Sequence, residues 1–283
     1  MSAVEESSGS LTGAGGVALH TCCWRPDADP VGLVVIAHGL AEHSARYRWF
    51  ATRLATEGYL VHALDHRGHG RSPGRRADIG AFDDVVRDLG TLFDRAAQSL
   101  PARPHFLLGH SMGGAIAFEW ALRNPGRLSG LLLSAPLLAL DPATPAARIA
   151  LVKLLARLAP GLGAVTLPSD TISRDPAVVR AYDEDPLVYR SAIPARTLAQ
   201  LFAHVGSFAA RAALLQTPVL VMHGTGDRLV PFEHVRPIVA AIGSADRTLK
   251  LYEGLYHEIL NEPEREQVCD DILRWLRGHA TTR

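Results

Sequence analysis

The sequence has few cysteines and no excess of charge of either sign. Only Cys22, Cys23 and Cys269 occur among 283 residues, and none has a partner at Cys-x-x-Cys spacing. Neither a disulfide framework nor a zinc site is therefore predicted, and free thiols in a reducing, cytoplasmic compartment are expected. Basic and acidic residues number 29 each, so no net field favours nucleic acid as a partner.

The sequence also lacks an apolar run long enough to cross a bilayer. Its first 16 residues have neither a basic start nor an apolar stretch, so they do not read as a signal peptide. Because this segment is rich in Ser and Gly, residues 1–16 are predicted to form a flexible tail.

Short apolar runs alternate with longer segments of helical periodicity. Nearly continuous apolar runs are typical of strands that are covered on both faces. These runs predict strands at 33–37, 59–64, 105–108, 131–134, 219–223 and 248–252, and helices at 81–99, 112–123, 232–242 and 264–276. The alternation predicts the α/β class, with a mostly parallel central sheet flanked by helices.

One region departs from this alternation. Residues 137–215 contain helical segments separated by prolines and no convincing strand. Such a block between two sheet strands predicts a helical cap, inserted between core segments 17–136 and 216–283.

The pattern Gly109-His-Ser-Met-Gly113 lies between an apolar strand and a helix. A sharp turn in this setting is the nucleophile elbow of the α/β-hydrolase fold, which exposes a serine at the start of a helix. Backbone N–H groups there favour developing negative charge. Ser111 is therefore the predicted nucleophile, and a purely structural Gly-Ser turn is the alternative.

A nucleophilic serine needs a histidine base and a carboxylate that orients it, and this fold supplies them in the order Ser, acid, His. Asp227 follows the apolar strand at 219–223, and His257 follows the strand at 248–252. Catalytic groups gather at this edge of an open α/β sheet. Taken singly, Asp227 also fits a helix cap and His257 a plain loop histidine, but together they complete a triad.

An oxyanion hole requires two backbone N–H donors, one after the nucleophile and one from the loop after an early strand. Met112 and Leu40 occupy these positions, so their amides are the predicted donors. His38 resembles a second base, but its position directly before Gly39 favours a role in bracing the loop.

Several segments resemble the monoacylglycerol lipase family: HGLAEHSARY at 38–47, DHRGHGRS at 65–72, GHSMGG at 109–114 and YHEILNE at 256–262. The cap segments ISRDP at 172–176 and YDEDP at 182–186 are similar too. The resemblance runs from about residue 17 to the C-terminus. It implies hydrolysis of a long-chain lipid ester, a monoacylglycerol, to free fatty acid and glycerol through an acyl-enzyme and without a cofactor.

The resemblance also implies roles for individual residues. Ser111, Asp227 and His257 match the triad, and Leu40 and Met112 match the oxyanion donors. The residues that match positions near the glycerol are His110, Arg46 and Tyr182. Leu260 stands where the mammalian enzymes carry a histidine beside the glycerol hydroxyls, so a related carboxylesterase or lysophospholipase is the main alternative. A non-catalytic scaffold of this fold, a third alternative, usually lacks a triad member.

Two further features of the sequence suggest other functions. His62, His66 and His69 are spaced like metal ligands, but no carboxylate pattern supports a metal site, and the resemblance gives the turn at 66–69 a structural role. The predicted cap helix at 146–158 combines leucines with Arg148, Lys153 and Arg157. It packs on the core, contacts lipid peripherally at a membrane, or does both.

Overall fold

The structure is a computed structural model and describes residues 4–280. The strands of these residues form one large sheet and one small two-stranded sheet. The strands are β1 (Val4–Thr12), β2 (Ala18–Pro26), β3 (Gly32–Ala37), β4 (Tyr59–Leu64), β5 (His105–His110), β6 (Gly130–Ser134), β7 (Gly163–Val165), β8 (Ile193–Pro194), β9 (Val219–Gly224) and β10 (Arg247–Tyr252). The large sheet has the order β1-β2-β4-β3-β5-β6-β9-β10, and β7 pairs with β8.

The α-helices follow the strands along the chain. They are α1 (Arg48–Thr56), α2 (Phe82–Gln98), α3 (Met112–Arg123), α4 (Ala146–Leu158), α5 (Pro176–Glu184), α6 (Ala195–Arg211), α7 (Phe232–Ala241) and α8 (Arg265–Gly278). Strands β3, β6 and β9 are buried along their whole length, and β5 is buried from Phe106 onward, as their apolar sequences require. Two separate apolar clusters cover the two faces of the sheet. The predicted α/β-hydrolase fold with a mostly parallel sheet is confirmed.

The N-terminus differs from its prediction. Residues 4–12 form β1, an antiparallel edge strand paired with β2 from Val4–Pro26 to Thr12–Ala18, so a flexible tail is wrong for this segment. Most of its side chains are exposed, and Leu11 alone among them is buried. An edge strand is held by backbone hydrogen bonds and needs no apolar pattern, which is why the composition misled. Residues 1–3 of the predicted tail lie outside the described residues.

The segment between β6 and β9 carries α4, α5 and α6, together with the short pair β7–β8 that the proline-rich sequence did not reveal. This segment is attached to the loops after β3 and β4. Tyr189 N donates to Ala41 O at 2.8 Å, and Arg196 forms an ion pair with the buried Asp78. These contacts hold the helices beside the loops that carry the candidate site.

The cysteines Cys22, Cys23 and Cys269 are free thiols in the structure. Between residues 4 and 280, none of the helices combines the length and apolarity that crossing a bilayer would require.

Candidate active site

Ser111 occupies the turn between β5 and α3. Its backbone angles are φ 52° and ψ −117°, in the positive-φ region that costs a non-glycine residue on the order of 1–3 kcal/mol. The flanking glycines are required by space, because a Cβ on Gly113 would lie 2.1 Å from Ala37 O and one on Gly109 would lie 2.3 Å from Gly113 O. The tight packing of β3 against the first turn of α3 therefore depends on this pattern and holds Ser111 in its strained position.

Two backbone amides adjoin the serine. Leu40 and Met112 line the same cavity as Ser111. Within the described residues no hydrogen bond is donated by Leu40 N or by Met112 N, whereas the neighbouring Gly39 N is paired with Glu42. Buried N–H groups are normally paired, so two unpaired ones beside a strained serine form an arrangement suited to an oxyanion.

Asp227 and His257 are brought together by the loops after β9 and β10. His257 Nδ1 donates to Asp227 Oδ2 at 2.7 Å, and both side chains are buried. Asp227 Oδ1 accepts hydrogen bonds from the backbone of Leu229 and Val230, each at 2.9 Å. A Cβ on Gly224 would lie 2.2 Å from Leu255 O, so glycine is needed where the two loops meet.

Asp227 and His257 each shift the pKa of the other. Burial alone would raise the pKa of Asp227, but His257 and several hydrogen bonds hold it well below its usual range. Burial alone would lower the pKa of His257, whereas the charge of Asp227 and its hydrogen bond raise it above 6.5. The arrangement therefore keeps an ionised carboxylate beside a strengthened imidazole base.

His223 is a partner of Asp227 that the sequence patterns did not reveal. Its Nε2 lies 2.7 Å from Val230 O and 3.1 Å from Asp227 Oδ2. A carbonyl oxygen only accepts, so Nε2 carries the hydrogen and points toward the carboxylate as well. A histidine four residues before the acid, at the end of the same strand, was the available signal.

Ser111 and His257 face one cavity of about 180 Å³. Within the described residues no hydrogen bond joins Ser111 Oγ to His257 Nε2, a bond that is often long in free hydrolases and tightens with substrate. Most of the cavity lining is apolar and comes from the core and the cap, including Leu137, Leu140, Leu167, Leu198, Leu201 and Phe202. The polar lining residues include Glu42, His110, Tyr182 and Glu258.

Known proteins are similar to this chain in sequence and in fold. A sequence-family profile described as Serine aminopeptidase, S33 (Hydrolase_4) matches residues 28–264. A monoacylglycerol lipase of Mycolicibacterium smegmatis is 44% identical over 273 residues, which are 96% of this chain and 98% of that protein. The chain belongs to the monoacylglycerol lipase family. The resemblance seen in its motifs is thereby confirmed.

The chain is also similar to two further proteins. The crystal structure of a Paleococcus ferrophilus monoacylglycerol lipase has a TM-score of 0.80 at 31% identity and covers 98% of this chain and 99% of its own. A Bacillus subtilis protein named Phospholipase YtpA is 36% identical over 250 residues, or 87% of this chain and 94% of that protein.

The residues that family resemblance assigns to glycerol lie in different environments. His110 and Tyr182 line the cavity, and the His110 ring is 4.8 Å from that of His257. Arg46 is not among the lining residues; its guanidinium lies 4.8 Å from the centre of the Tyr182 ring and is paired with two carboxylates. Leu260 borders a separate small recess beside His110 and Glu258. Of the groups near this end, Glu258 was missed by the sequence patterns.

His38 is placed as a brace rather than as a base. Its Nε2 accepts a hydrogen bond from His66 N at 2.9 Å, and Nδ1 donates to Gly39 O at 2.7 Å. Burial lowers the pKa of His38 to about 4, so the ring is neutral at physiological pH and both nitrogens are engaged. From residue 4 to residue 280, no cluster of three or more His, Cys, Asp or Glu side chains is arranged to hold a metal ion.

Proposed function

We propose that the protein hydrolyses monoacylglycerols, with Ser111, His257 and Asp227 as its catalytic triad. The observation that carries the proposal is that Ser111 and His257 line one cavity, while Asp227 is hydrogen-bonded to His257. A strained serine, a histidine hydrogen-bonded to a buried carboxylate and two unpaired amides all meet beside an apolar lining. Each part matches a requirement of acyl transfer from an ester.

The reaction proceeds in two halves. His257 removes the Ser111 proton as Oγ attacks the ester carbonyl, and Asp227 keeps the imidazole in the tautomer whose Nε2 accepts that proton. The amides of Leu40 and Met112 stabilise the oxyanion. The tetrahedral intermediate collapses as its C–O bond breaks, and His257 gives the proton to the departing glycerol. Water then attacks the acyl-enzyme by the same route and releases the fatty acid.

The lining of the cavity favours a long-chain ester over a small polar one. Its leucines and Phe202 lie on helices and loops of both the core and the cap, and they offer an apolar chain a water-excluded path from Ser111. Burial of each methylene contributes about 0.8 kcal/mol, so a long acyl chain gains much more from this lining than an acetyl group does.

A second function within the same chemistry is lysophospholipid hydrolysis. The similarity to a relative named Phospholipase YtpA favours it. A carboxylesterase with broad preference for small esters is a further alternative of the same fold. These activities share the serine chemistry and differ in the leaving group that the site accepts.

A substrate comparison tests the proposal. We expect a fluorophosphonate probe to label the protein and kcat/KM to be at least about tenfold higher for 1-monooleoylglycerol than for p-nitrophenyl acetate. Oleoyl-lysophosphatidylcholine, measured in the same mixed micelles, separates the two lipid activities. Faster turnover of the lysophospholipid would favour the phospholipase alternative, and faster turnover of the acetate would contradict a lipase.

We also propose that the cap docks on the surface of lipid aggregates through α4. Leu151, Leu154 and Leu158 are 54%, 51% and 75% exposed, whereas Val152 is buried against the rest of the cap. Exposed cations on the same helix, Lys153 among them, are suited to anionic headgroups. Leu155 is half-buried, so it belongs to the packed side of the helix.

The triple variant Leu151→Ser, Leu154→Ser, Leu158→Ser tests this docking. We expect its binding to vesicles of phosphatidylcholine and phosphatidylglycerol, measured by sedimentation, to fall at least about tenfold, because three exposed leucines lose their apolar area. Hydrolysis of monooleoylglycerol in those vesicles should fall with it, while turnover of soluble p-nitrophenyl butyrate stays unchanged.

Exposed leucines elsewhere provide the matched control. The variant Leu214→Ser, Leu249→Ser, Leu251→Ser removes comparable exposed apolar groups outside α4. It should bind vesicles as the unsubstituted protein does. Equal losses in both triple variants, or none in the cap variant, would contradict docking through α4.

A further inference from the structure

Two buried carboxylates share one arginine beside the candidate nucleophile. Arg46 donates from Nη1 and Nη2 to the two oxygens of Glu258 at 2.6 and 2.7 Å, and from Nη1 to Glu42 Oε2 at 2.9 Å. The side chains of Glu42 and Glu258 are only 4% and 6% exposed, yet both line the cavity, whereas Arg46 lies behind them. The cavity therefore meets the carboxylates and not the cation.

Each carboxylate keeps an unused acceptor position within the described residues. Glu258 Oε2 accepts from Arg46 and from Asn261 Nδ2, but Oε1 accepts from Arg46 alone. Glu42 Oε1 accepts from Gly39 N and from the Tyr47 hydroxyl, whereas Oε2 accepts from Arg46 alone. A carboxylate oxygen has room for two donors, so each residue has capacity for a hydroxyl group.

The charge at this place is negative. Two carboxylates face one guanidinium, and no Lys or Arg is among the cavity-lining residues of the described chain. Burial would raise the pKa of Glu258, but the charge and hydrogen bonds of Arg46 lower it below its usual value, so the side chain is ionised at neutral pH. Burial, together with His257, lowers the pKa of His110 to about 4, so that ring adds no positive charge.

The separation of polar from apolar lining residues indicates which side of the cavity receives the alcohol part of the ester. Arg46 gathers Glu42, Glu258 and Tyr182, so the polar lining forms one cluster, whereas the leucines belong to the apolar clusters of core and cap. An acyl chain partitions to the apolar side, which leaves the carboxylates for the alcohol part of the ester. An alcohol part without further hydroxyl groups donates no hydrogen bond to these carboxylates, and an alcohol part that carries a phosphate is repelled by their negative charge.

We propose that Glu258, with Glu42, selects a neutral polyol leaving group by accepting its hydroxyl hydrogens and rejects one that carries a phosphate. This inference rests on the proposed function, because it takes Ser111 as the point of attack. It makes Glu258 a specificity-determining residue and favours glycerol monoesters over lysophospholipids that end in a bare phosphate.

Three oleoyl esters in one Triton X-100 mixed micelle test the inference. They are 1-monooleoylglycerol, methyl oleate, which lacks hydroxyls, and 1-oleoyl-lysophosphatidate, which adds only a phosphate. For the unsubstituted enzyme we expect kcat/KM on the glycerol ester to exceed that on the lysophosphatidate at least about tenfold. In Glu258→Gln, the preference for the glycerol ester over each of the other two should fall at least about fivefold.

Ratios of kcat/KM within one variant do not depend on the fraction of active protein, so partial misfolding of Glu258→Gln does not distort them. Glu266→Gln, which removes the same charge from an exposed position on α8, is the matched control and should leave the ratios unchanged. If Glu258→Gln yields no folded protein, the ratios of the unsubstituted enzyme still decide whether the site prefers a glycerol ester to one that carries a phosphate.

The outcomes separate two kinds of failure. No turnover of monooleoylglycerol by the unsubstituted enzyme would contradict the proposed function and the inference with it. Efficient turnover of monooleoylglycerol together with equal turnover of lysophosphatidate would leave the function standing and overturn the inference. Unchanged ratios in a folded Glu258→Gln variant would overturn it as well.

Discussion

Replacing Ser111 by alanine is expected to abolish hydrolysis while the fold survives. We expect kcat/KM on 1-monooleoylglycerol to fall at least about 10⁴-fold, since loss of the nucleophile removes the covalent step and leaves only binding and the oxyanion site. Labelling by a fluorophosphonate probe should disappear. Alanine accepts the positive φ of this turn as poorly as serine does, so the strain is retained and the thermal unfolding midpoint should change little.

Ser129→Ala is the matched control for this experiment. Ser129 lies in the loop before β6, on the opposite edge of the sheet, and accepts a hydrogen bond from His105 N. The control should retain activity and labelling. Residual activity of Ser111→Ala within tenfold of the unsubstituted enzyme, with normal folding, would contradict the proposed nucleophile. Absence of labelling and turnover in the unsubstituted protein would favour the non-catalytic scaffold.

Buried strands and two of the helices were the parts of the fold that the sequence predicted best. The helix at 112–123 and the cap helix at 146–158 have the predicted bounds, and the buried parallel strands lie where their apolar runs indicated. A strand that is covered on both faces needs an uninterrupted run of apolar residues, which is visible in the sequence. Strand β1 has no such run, because its pairing with β2 uses backbone groups that every residue has.

In the candidate site, too, some residues could be predicted from the sequence and others could not. Ser111, Asp227 and His257 follow the carboxyl ends of β5, β9 and β10, and fold topology brings the loops after these strands to one edge of the sheet. The pair between Arg46 and Glu258 joins residues 212 positions apart, and no local pattern records such a contact. His223 was missed for another reason: it lies near the end of an apolar strand, and its spacing of four residues from Asp227 does not by itself show that the two side chains meet.

The second large effect is expected from Asp227→Asn. Asparagine keeps an oxygen for the backbone amides of Leu229 and Val230, so the loop should fold. Its NH₂ group, turned toward His257, donates to Nδ1 and fixes the tautomer whose Nε2 carries a hydrogen and accepts no proton from Ser111. We expect kcat to fall by about 10⁴-fold on 1-monooleoylglycerol.

Asp246→Asn is the matched control for this substitution. Asp246 also forms a pair with a histidine, His279, at 2.9 Å, but it is largely exposed and lies away from the cavity. The control should keep full activity. A folded Asp227→Asn variant with kcat within tenfold of the unsubstituted enzyme would contradict the proposed role of Asp227.

The pH profile gives an independent measure of the same interaction. His257 acts as a base only when neutral, and Asp227 stabilises its charged form and so raises its pKa above 6.5. In the unsubstituted enzyme, kcat/KM should therefore rise with pH through a midpoint above 6.5 and then level off. Without the Asp227 charge, burial becomes the dominant influence and lowers the pKa of His257, so the midpoint of the residual activity in Asp227→Asn should move to lower pH. An unchanged midpoint, or a shift to higher pH, would show that Asp227 does not set the basicity of His257.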